Sequence, residues 1–198
     1  MYILMKQFKV REELLDRKMR IFTPSQFSQI FGILAYKTKY YLEKWTREGF
    51  LVRLKQGLYG LKSDLPSEEE IANRLYMHSY LSFEYALAYY NILPEMPYVV
   101  TSATTKPTRN LIVGPKTFVY FKIKQQAYTG YVLTKIGEKS FLIADPQKAL
   151  VDYLYFVALG KKPIYDRLDI SSLSKEKILA YAKLYGRFKL DDMLMKLI

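Results

Sequence analysis

The stretch FTPSQFSQIFGILAYKTKYYLEKWTREGFLVRLKQGLYGL, from Phe22 to Leu61, decides how the chain is read. Thr23 with Gln26 three residues on forms a capping-box signature, and Pro24 suits the first helical position, so a short helix opens here. Gly32 supplies a turn, and a second helix runs from about Ala35 to Glu48. Gly49 stops it where a left-handed backbone is wanted. Phe50 to Leu54 and Leu58 to Leu61 then read as strands flanking Lys55, Gln56 and Gly57, the tip of a hairpin. Helix, turn, helix and hairpin in this order predict a winged helix-turn-helix, and with it double-stranded DNA as a partner.

Working outward, helical spacing divides the second helix into two faces. Thr38, Tyr41, Leu42 and Trp45 recur at three- and four-residue steps and form the side expected to pack on Phe27, Ile30 and Phe31 of the preceding helix. Val10, Leu14 and Leu15 mark a first packing helix between about Val10 and Arg20. The outward side of the second helix carries Tyr36, Lys37, Lys39, Tyr40 and Lys44. Because the start of such a helix meets the base edges, Tyr36, Lys37, Lys39 and Tyr40 are expected in the major groove. Arg53, Lys55 and Gln56 are expected to anchor the wing on phosphates or in the minor groove. From Phe22 to Gly60, six Lys or Arg stand against two Glu. The plainer reading of these lysines is an ordinary solvated face.

The bulk numbers agree with a polyanionic partner. A formal charge of +12 on 198 residues draws the chain to nucleic acid, acidic proteins or anionic lipid, although a Lys- and Tyr-rich AT-biased composition produces part of that charge without a partner. With no cysteine there are no disulfides and no thiolate nucleophile. A lone histidine, His78, supplies neither paired imidazoles nor an HExxH helix, and no glycine-rich phosphate-binding motif is present. No cofactor and no metal are expected. No apolar run is long enough for a membrane helix, and the opening MYILMKQFKVREELL turns charged too soon for a signal peptide, so a cytoplasmic protein is expected.

Ser63, Asp64, Leu65 and Pro66 read as a linker, dividing the chain into a DNA-binding domain, residues 1–65, and a larger domain, residues 66–198. Ser67 and Glu70 form a second capping box before SEEEIANRLY, and LSFEYALAYYNI carries Leu81, Tyr85, Leu87 and Ala88 at helical spacing. From Tyr98 to Ala144 the period becomes two. YVVTSATT, RNLIV, KTFVYFKIK and YVLTKIGEKSFLIA predict a mainly antiparallel sheet, with Thr117, Val119, Phe121 and Ile123 on the apolar face of one strand and Gly137 and Glu138 in a hairpin turn. Asp145 and Pro146 start a helix whose buried side is Ala149, Leu150, Tyr153, Leu154 and Val157, ending at Gly160. Ser174 to Tyr185 and Leu190 to Ile198 close the chain as helices. The expected class is α+β, a winged helix-turn-helix followed by an α+β domain whose mainly antiparallel sheet is flanked by helices.

Helices around a sheet are also the layout of restriction-endonuclease-like enzymes, which need clustered carboxylates to hold Mg²⁺. Between Met96 and Gly137 there is no Asp or Glu, while Lys106, Arg109, Lys116, Lys122, Lys124 and Lys135 are present. Glu138 falls in a turn and Asp145 at a helix cap, so no catalytic residue is assigned and an enzyme is not expected.

Several blocks together resemble the AbiEi family of antitoxins and transcriptional regulators: RLKQGLYGL, YLSFEYALAYYNILPE, VVTSATTK and IADPQKALVDYLYF, in the family's order from Phe22 to about Phe156. The resemblance implies the antitoxin of a type IV toxin-antitoxin system. Such an antitoxin represses its own operon through the winged domain and counters a nucleotidyltransferase-like toxin, often without a stable complex. It hands over regions rather than residues, namely the helix from Ser82 to Tyr90 and the block from Asp145 to Tyr155. The alternative is a stand-alone winged-helix regulator whose second domain binds a ligand or mediates dimerisation, and a homodimer is left open.

Overall fold

The computed structural model describes residues 6–197. The reading of the first five residues as part of no signal peptide, and the extension of the last helix to Ile198, lie outside them. The chain is α+β, and its first part contains α1 (Gln7–Asp16), β1 (Ile21–Phe22), α2 (Pro24–Phe31), α3 (Ala35–Arg47), β2 (Leu51–Lys55) and β3 (Leu58–Leu61). The strands form a small antiparallel sheet in the order β1-β3-β2. Val10 and Leu14 of α1 join Phe22, Phe27, Leu42, Trp45, Leu51 and Leu61 in one apolar cluster beside it. Two expectations change. The first helix ends at Asp16, because the chain reverses through Lys18 at φ 52°, and Leu15 is left 37% exposed rather than packed. β1 was not foreseen, since two residues carry no period; it pairs Ile21 with Gly60 and Phe22 with Tyr59.

The rest of the chain runs α4 (Glu68–Leu75), β4 (Ser79–Leu81), α5 (Phe83–Tyr89), β5 (Val100–Thr104), β6 (Arg109–Val113), β7 (Lys116–Lys122), β8 (Tyr131–Ile136), β9 (Lys139–Ala144), α6 (Pro146–Ala158), α7 (Lys175–Tyr185) and α8 (Phe188–Leu197). The six strands order as β6-β7-β5-β4-β9-β8. Three of the five pairings are antiparallel, but β4–β9 and β5–β7 are parallel, so the sheet is mixed. Parallel pairs belong inside, covered on both faces. Here α4 lies against one face, where Tyr120 donates to Ala72 O at 2.7 Å, and α5 and α6 lie against the other, where Phe121 meets Phe83 and Phe156 at ring distances of 5.0 and 5.1 Å. Double coverage explains why alternation misjudged β7. Phe118 and Tyr120, on the face opposite the expected apolar one, are fully buried, whereas of that expected face Ile123 is buried and Thr117, Val119 and Phe121 are only half-buried. Leu81, read as the start of a helix, is instead the end of β4, and the turn into α5 sets Phe83 at φ 58°.

Helix α6 is buried nearly all round and carries a charged pair into the core. Lys148 and Asp152, one turn apart and both inaccessible, form an ion pair. Asp152 also accepts from Ser82 Oγ at 2.7 Å, Tyr80 at 3.0 Å and Tyr185 at 2.5 Å. One carboxylate therefore ties α6 to β4, to the start of α5 and to α7. Burial pushes the Lys148 ammonium down, against the pull of Asp152. Replacing Asp152 by Ala leaves a buried cation unpaired, and urea unfolding should register a loss of about 3–5 kcal/mol.

Buried phenols give a second expectation. Tyr90 and Tyr128 are pushed up to about 12, chiefly by burial, and burial also raises Tyr85, Tyr120, Tyr153 and Tyr185. A phenol whose folded value is raised stabilises the fold fully below its unfolded value of about 10 and progressively less as pH rises through the interval. The urea midpoint should fall from about pH 10 upward, with phenolate absorbance at long wavelength growing in step with unfolding.

Candidate nucleic-acid interface

The outward face of α3 is fixed by the caps and aromatics beneath it. Thr23 Oγ1 accepts from Gln26 N at 3.3 Å while Gln26 Oε1 accepts from Thr23 N at 2.9 Å, so α2 starts with a closed capping box. It ends at Gly32, whose φ of 59° a larger residue would resist, and Ser28 Oγ donates to Ile33 O at 2.6 Å across the turn. Under α3, Trp45 packs edge-on to Phe27 and Phe50 and tilted to Tyr41, at ring distances of 6.2, 5.5 and 4.9 Å. Thr38, Leu42 and Trp45 are buried as the spacing predicts. With that side locked, Tyr36 and Tyr40 stand 67% and 56% exposed, and Lys39 is exposed beside them.

At the start of α3 the cap residue is Leu34, no side chain caps the first turn, and no acidic residue lies in it. Uncapped N–H groups and the positive end of the helix dipole, next to Lys37 and Lys39, favour an anion at this end. Lys37 is half-buried and reaches over the Tyr36 ring at 5.9 Å. Lys44 is further along, over the Tyr40 ring at 5.9 Å and 3.9 Å from Glu48, a partly exposed pair that constrains it only weakly.

The hairpin differs in detail from the expectation. Lys55 belongs to β2, after an irregularity between Arg53 and Lys55, so the turn itself is Gln56 and Gly57, the latter at φ 76°. Gln56 is exposed at the tip, and Arg53 is exposed on β2 beside Glu43, Thr46, Arg47 and Tyr59 around a shallow depression. Lys55 reaches across to α4 and donates to Leu75 O at 2.5 Å, at the negative end of that helix. Its ammonium is pushed down by burial and then by Arg109 and Lys106.

Those two cations were not assigned to the interface from the sequence. Lys106 Nζ and Arg109 Cζ lie 5.5 and 5.9 Å from the ring of Tyr76, whose hydroxyl donates to Pro107 O at 3.2 Å and so holds the β5–β6 connection. Lys55, Lys106 and Arg109 thus gather at the foot of the hairpin from positions fifty residues apart. The signal available in the sequence was the acid-free run that contains Lys106 and Arg109.

No family model and no curated protein matches this chain. Among the described residues, no group of three or more His, Cys, Asp or Glu side chains is placed to hold a metal ion. Glu138 is an exposed turn residue paired with Lys18 at 2.7 Å, and Asp145 caps α6 through Lys148 N at 2.8 Å while accepting from Tyr181 at 2.5 Å. No described helix is long and apolar enough to cross a membrane.

Because α2 holds α3 in place, its cap is a stability element of the interface. Thr23→Ala removes the Oγ1 acceptor and should cost about 1 kcal/mol in urea unfolding, with Thr23→Ser close to the parent.

Proposed function

We propose that residues 1–65 form a winged helix-turn-helix that binds double-stranded operator DNA, and that the chain is the antitoxin of a type IV toxin-antitoxin system. The observation that carries the DNA reading is the start of α3, where Tyr36, Lys37, Lys39 and Tyr40 surround an uncapped, acid-free helix end. Tyr36, Lys37, Lys39 and Tyr40 enter the major groove, Lys44 follows the backbone, and Arg53 and Gln56 set the wing. Lys55 holds the wing against α4 and shares its charge with Lys106 and Arg109, which extend the phosphate-contacting surface onto residues 66–198. The antitoxin role is supported by the resemblance of four ordered blocks to the AbiEi family. On that reading the protein works in the cytoplasm, represses its own operon and counters a nucleotidyltransferase-like toxin without needing a catalytic residue or cofactor.

A mobility-shift titration against the DNA upstream of the gene tests the first half. Lys37→Ala with Lys39→Ala should weaken operator binding by about 1–3 kcal/mol if either reads a base, or lower the salt slope if both meet phosphates. Unchanged binding would sink the assignment of α3. Lys106→Ala with Arg109→Ala should leave sequence preference intact and reduce the magnitude of the salt slope by about 2. The second half predicts a nucleotidyltransferase-like gene beside this one and is tested by co-expressing the two, where rescue of growth is the expected result and absence of such a gene or unrelieved toxicity the contrary one.

A further inference from the structure

We propose that the cleft between α2 and α4 is a binding site for a small phosphorylated ligand, a pyrophosphate-bearing anion, and that its occupancy adjusts operator affinity. The second clause rests on the function proposed above; the first does not.

The cleft is a cavity of about 350 Å³ where the α1–β1 connection and α2 face α4 and the start of β9. It shares Arg17, Met19 and Gln26 with an adjoining depression of about 410 Å³ that runs on to Gln29 and Ile30. Junctions between packed units are favoured places for small-molecule sites, and this volume is within their usual range.

Its wall is rich in cations. Arg17, Lys18, Arg20 and Arg74 line it with one carboxylate, Glu70, while Glu13, Glu138 and Asp64 pair with the first three from outside the wall. Glu70 is already engaged: its two oxygens accept from Ser67 N at 3.0 Å and Ser140 N at 3.3 Å, and it stands 4.0 Å from Arg20. Arg20 is held in place by donation to Glu138 O at 2.8 Å. Its Nε is ion-paired with Asp64 Oδ2 at 2.9 Å, a charge contact without hydrogen-bond alignment. Arg74 has no ion-pair partner among the described residues. Arg17 and Lys18 do have partners, Glu13 at 2.5 Å and Glu138 at 2.7 Å. Both pairs are solvent-exposed, and such pairs hold their members by about 1 kcal/mol or less, too little to keep them from a multiply charged anion. Three guanidiniums and an ammonium around one cavity match phosphoryl oxygens, which arginine binds in a two-pronged fashion. The apolar Met19 and Ile21 in the same wall suit the organic body of the ligand rather than a bare ion.

Occupancy would reach the DNA face through α2. Gln26, in the wall of the cleft, is also the residue that closes the cap of α2, and α2 is the helix on which α3 is packed. A ligand bridging Arg17, at the end of α1, and Arg74 on α4 fixes the α1–β1 connection and the Gln26 end of α2 beside it relative to α4, and hence α3 relative to the Lys106–Arg109 end of the surface. Coupling of this kind is reciprocal, so DNA and ligand alter each other's affinity by the same factor.

The test is isothermal titration of the full chain, without DNA, with sodium pyrophosphate and separately with ATP at constant ionic strength. Saturable binding of one ligand per chain is expected, weakened about tenfold or more by Arg74→Ala and by Arg74→Gln, partly restored by Arg74→Lys, and unaffected by Lys37→Ala with Lys39→Ala. Absence of saturation at millimolar ligand, or equal affinity in a folded Arg74→Ala or Arg74→Gln protein, overturns the site. Displacement of pyrophosphate by a short non-operator duplex assigns these cations to the DNA backbone instead and also overturns it. A mobility-shift series with and without pyrophosphate then reads the coupling, which should move operator affinity at least about threefold in the parent and not in Arg74→Ala. No shift refutes the coupling, while failure of operator binding altogether refutes the DNA reading and leaves the titration result standing.

Discussion

The structure depends most on the carboxylate of Asp152. It is inaccessible, it meets the Lys148 ammonium and it accepts three hydroxyls, so the penalty for burying its charge is offset by one opposite charge and three donors. Those donors come from β4, from the residue before α5 and from the last turn of α7. A hydrophobic core alone would let these elements slide against α6; a carboxylate with four partners fixes which residue of each must arrive there. Tail and sheet are thereby referred to the same point on α6. The tail is held again nearby by Tyr181 on Asp145 and by Gln126 donating to Leu184 O at 2.6 Å.

A second rigid centre lies under α3. Trp45 is surrounded by Phe27, Tyr41 and Phe50, and edge-on and tilted aromatic contacts of this kind resist rotation of the helix about its axis. What α3 shows to solvent is thus decided from inside. The two centres are linked at the hairpin, where Lys55 reaches the end of α4 and where Ile21, Leu54 and Leu58 join the core of the larger sheet rather than that of Trp45.

Much of this was legible because the local signals were chemical rather than statistical. Thr23 with Gln26, Ser67 with Glu70 and Asp145 with Pro146 each name a helix start by which side chain satisfies which N–H, and all three caps are found. Periodicity served where one face is wet, as on α3, and failed where none is. On β7 it left Phe118 and Tyr120 off the apolar face because alternation assumes one solvated face, and pairing with β5 and β6 under helices on both sides removes that assumption. Lys148 and Asp152 were invisible for a related reason: a charge on a helix reads as a solvated position until its partners, here Ser82 and Tyr185, arrive from distant segments. The same holds for the surface. Tyr36 to Lys44 could be grouped because one helix carries them, whereas Lys55, Lys106 and Arg109 meet only through tertiary folding.

Electrostatics gives the last step. The charge of +12 is not spread evenly in its consequences, because cations near acids are neutralised locally while those without them set the field. Lys18, Arg17 and Lys44 each have a carboxylate within reach, so their net effect at a distance is small. At the foot of the hairpin the balance is different. Lys106 and Arg109 lie in a segment with no acid from Met96 to Gly137, and the Lys55 ammonium is pushed down by burial first and then by Arg109 and Lys106. Like charges held together at a cost to one of them are stabilised when an anion arrives between them, and the gain is largest where desolvation has already been incurred. Lys55 stands among them as an exposed side chain whose ammonium is anchored on Leu75 O. On the proposed DNA reading, the junction of the hairpin with α4 therefore adds its cations to the exposed lysines of α3 in attracting a polyanion.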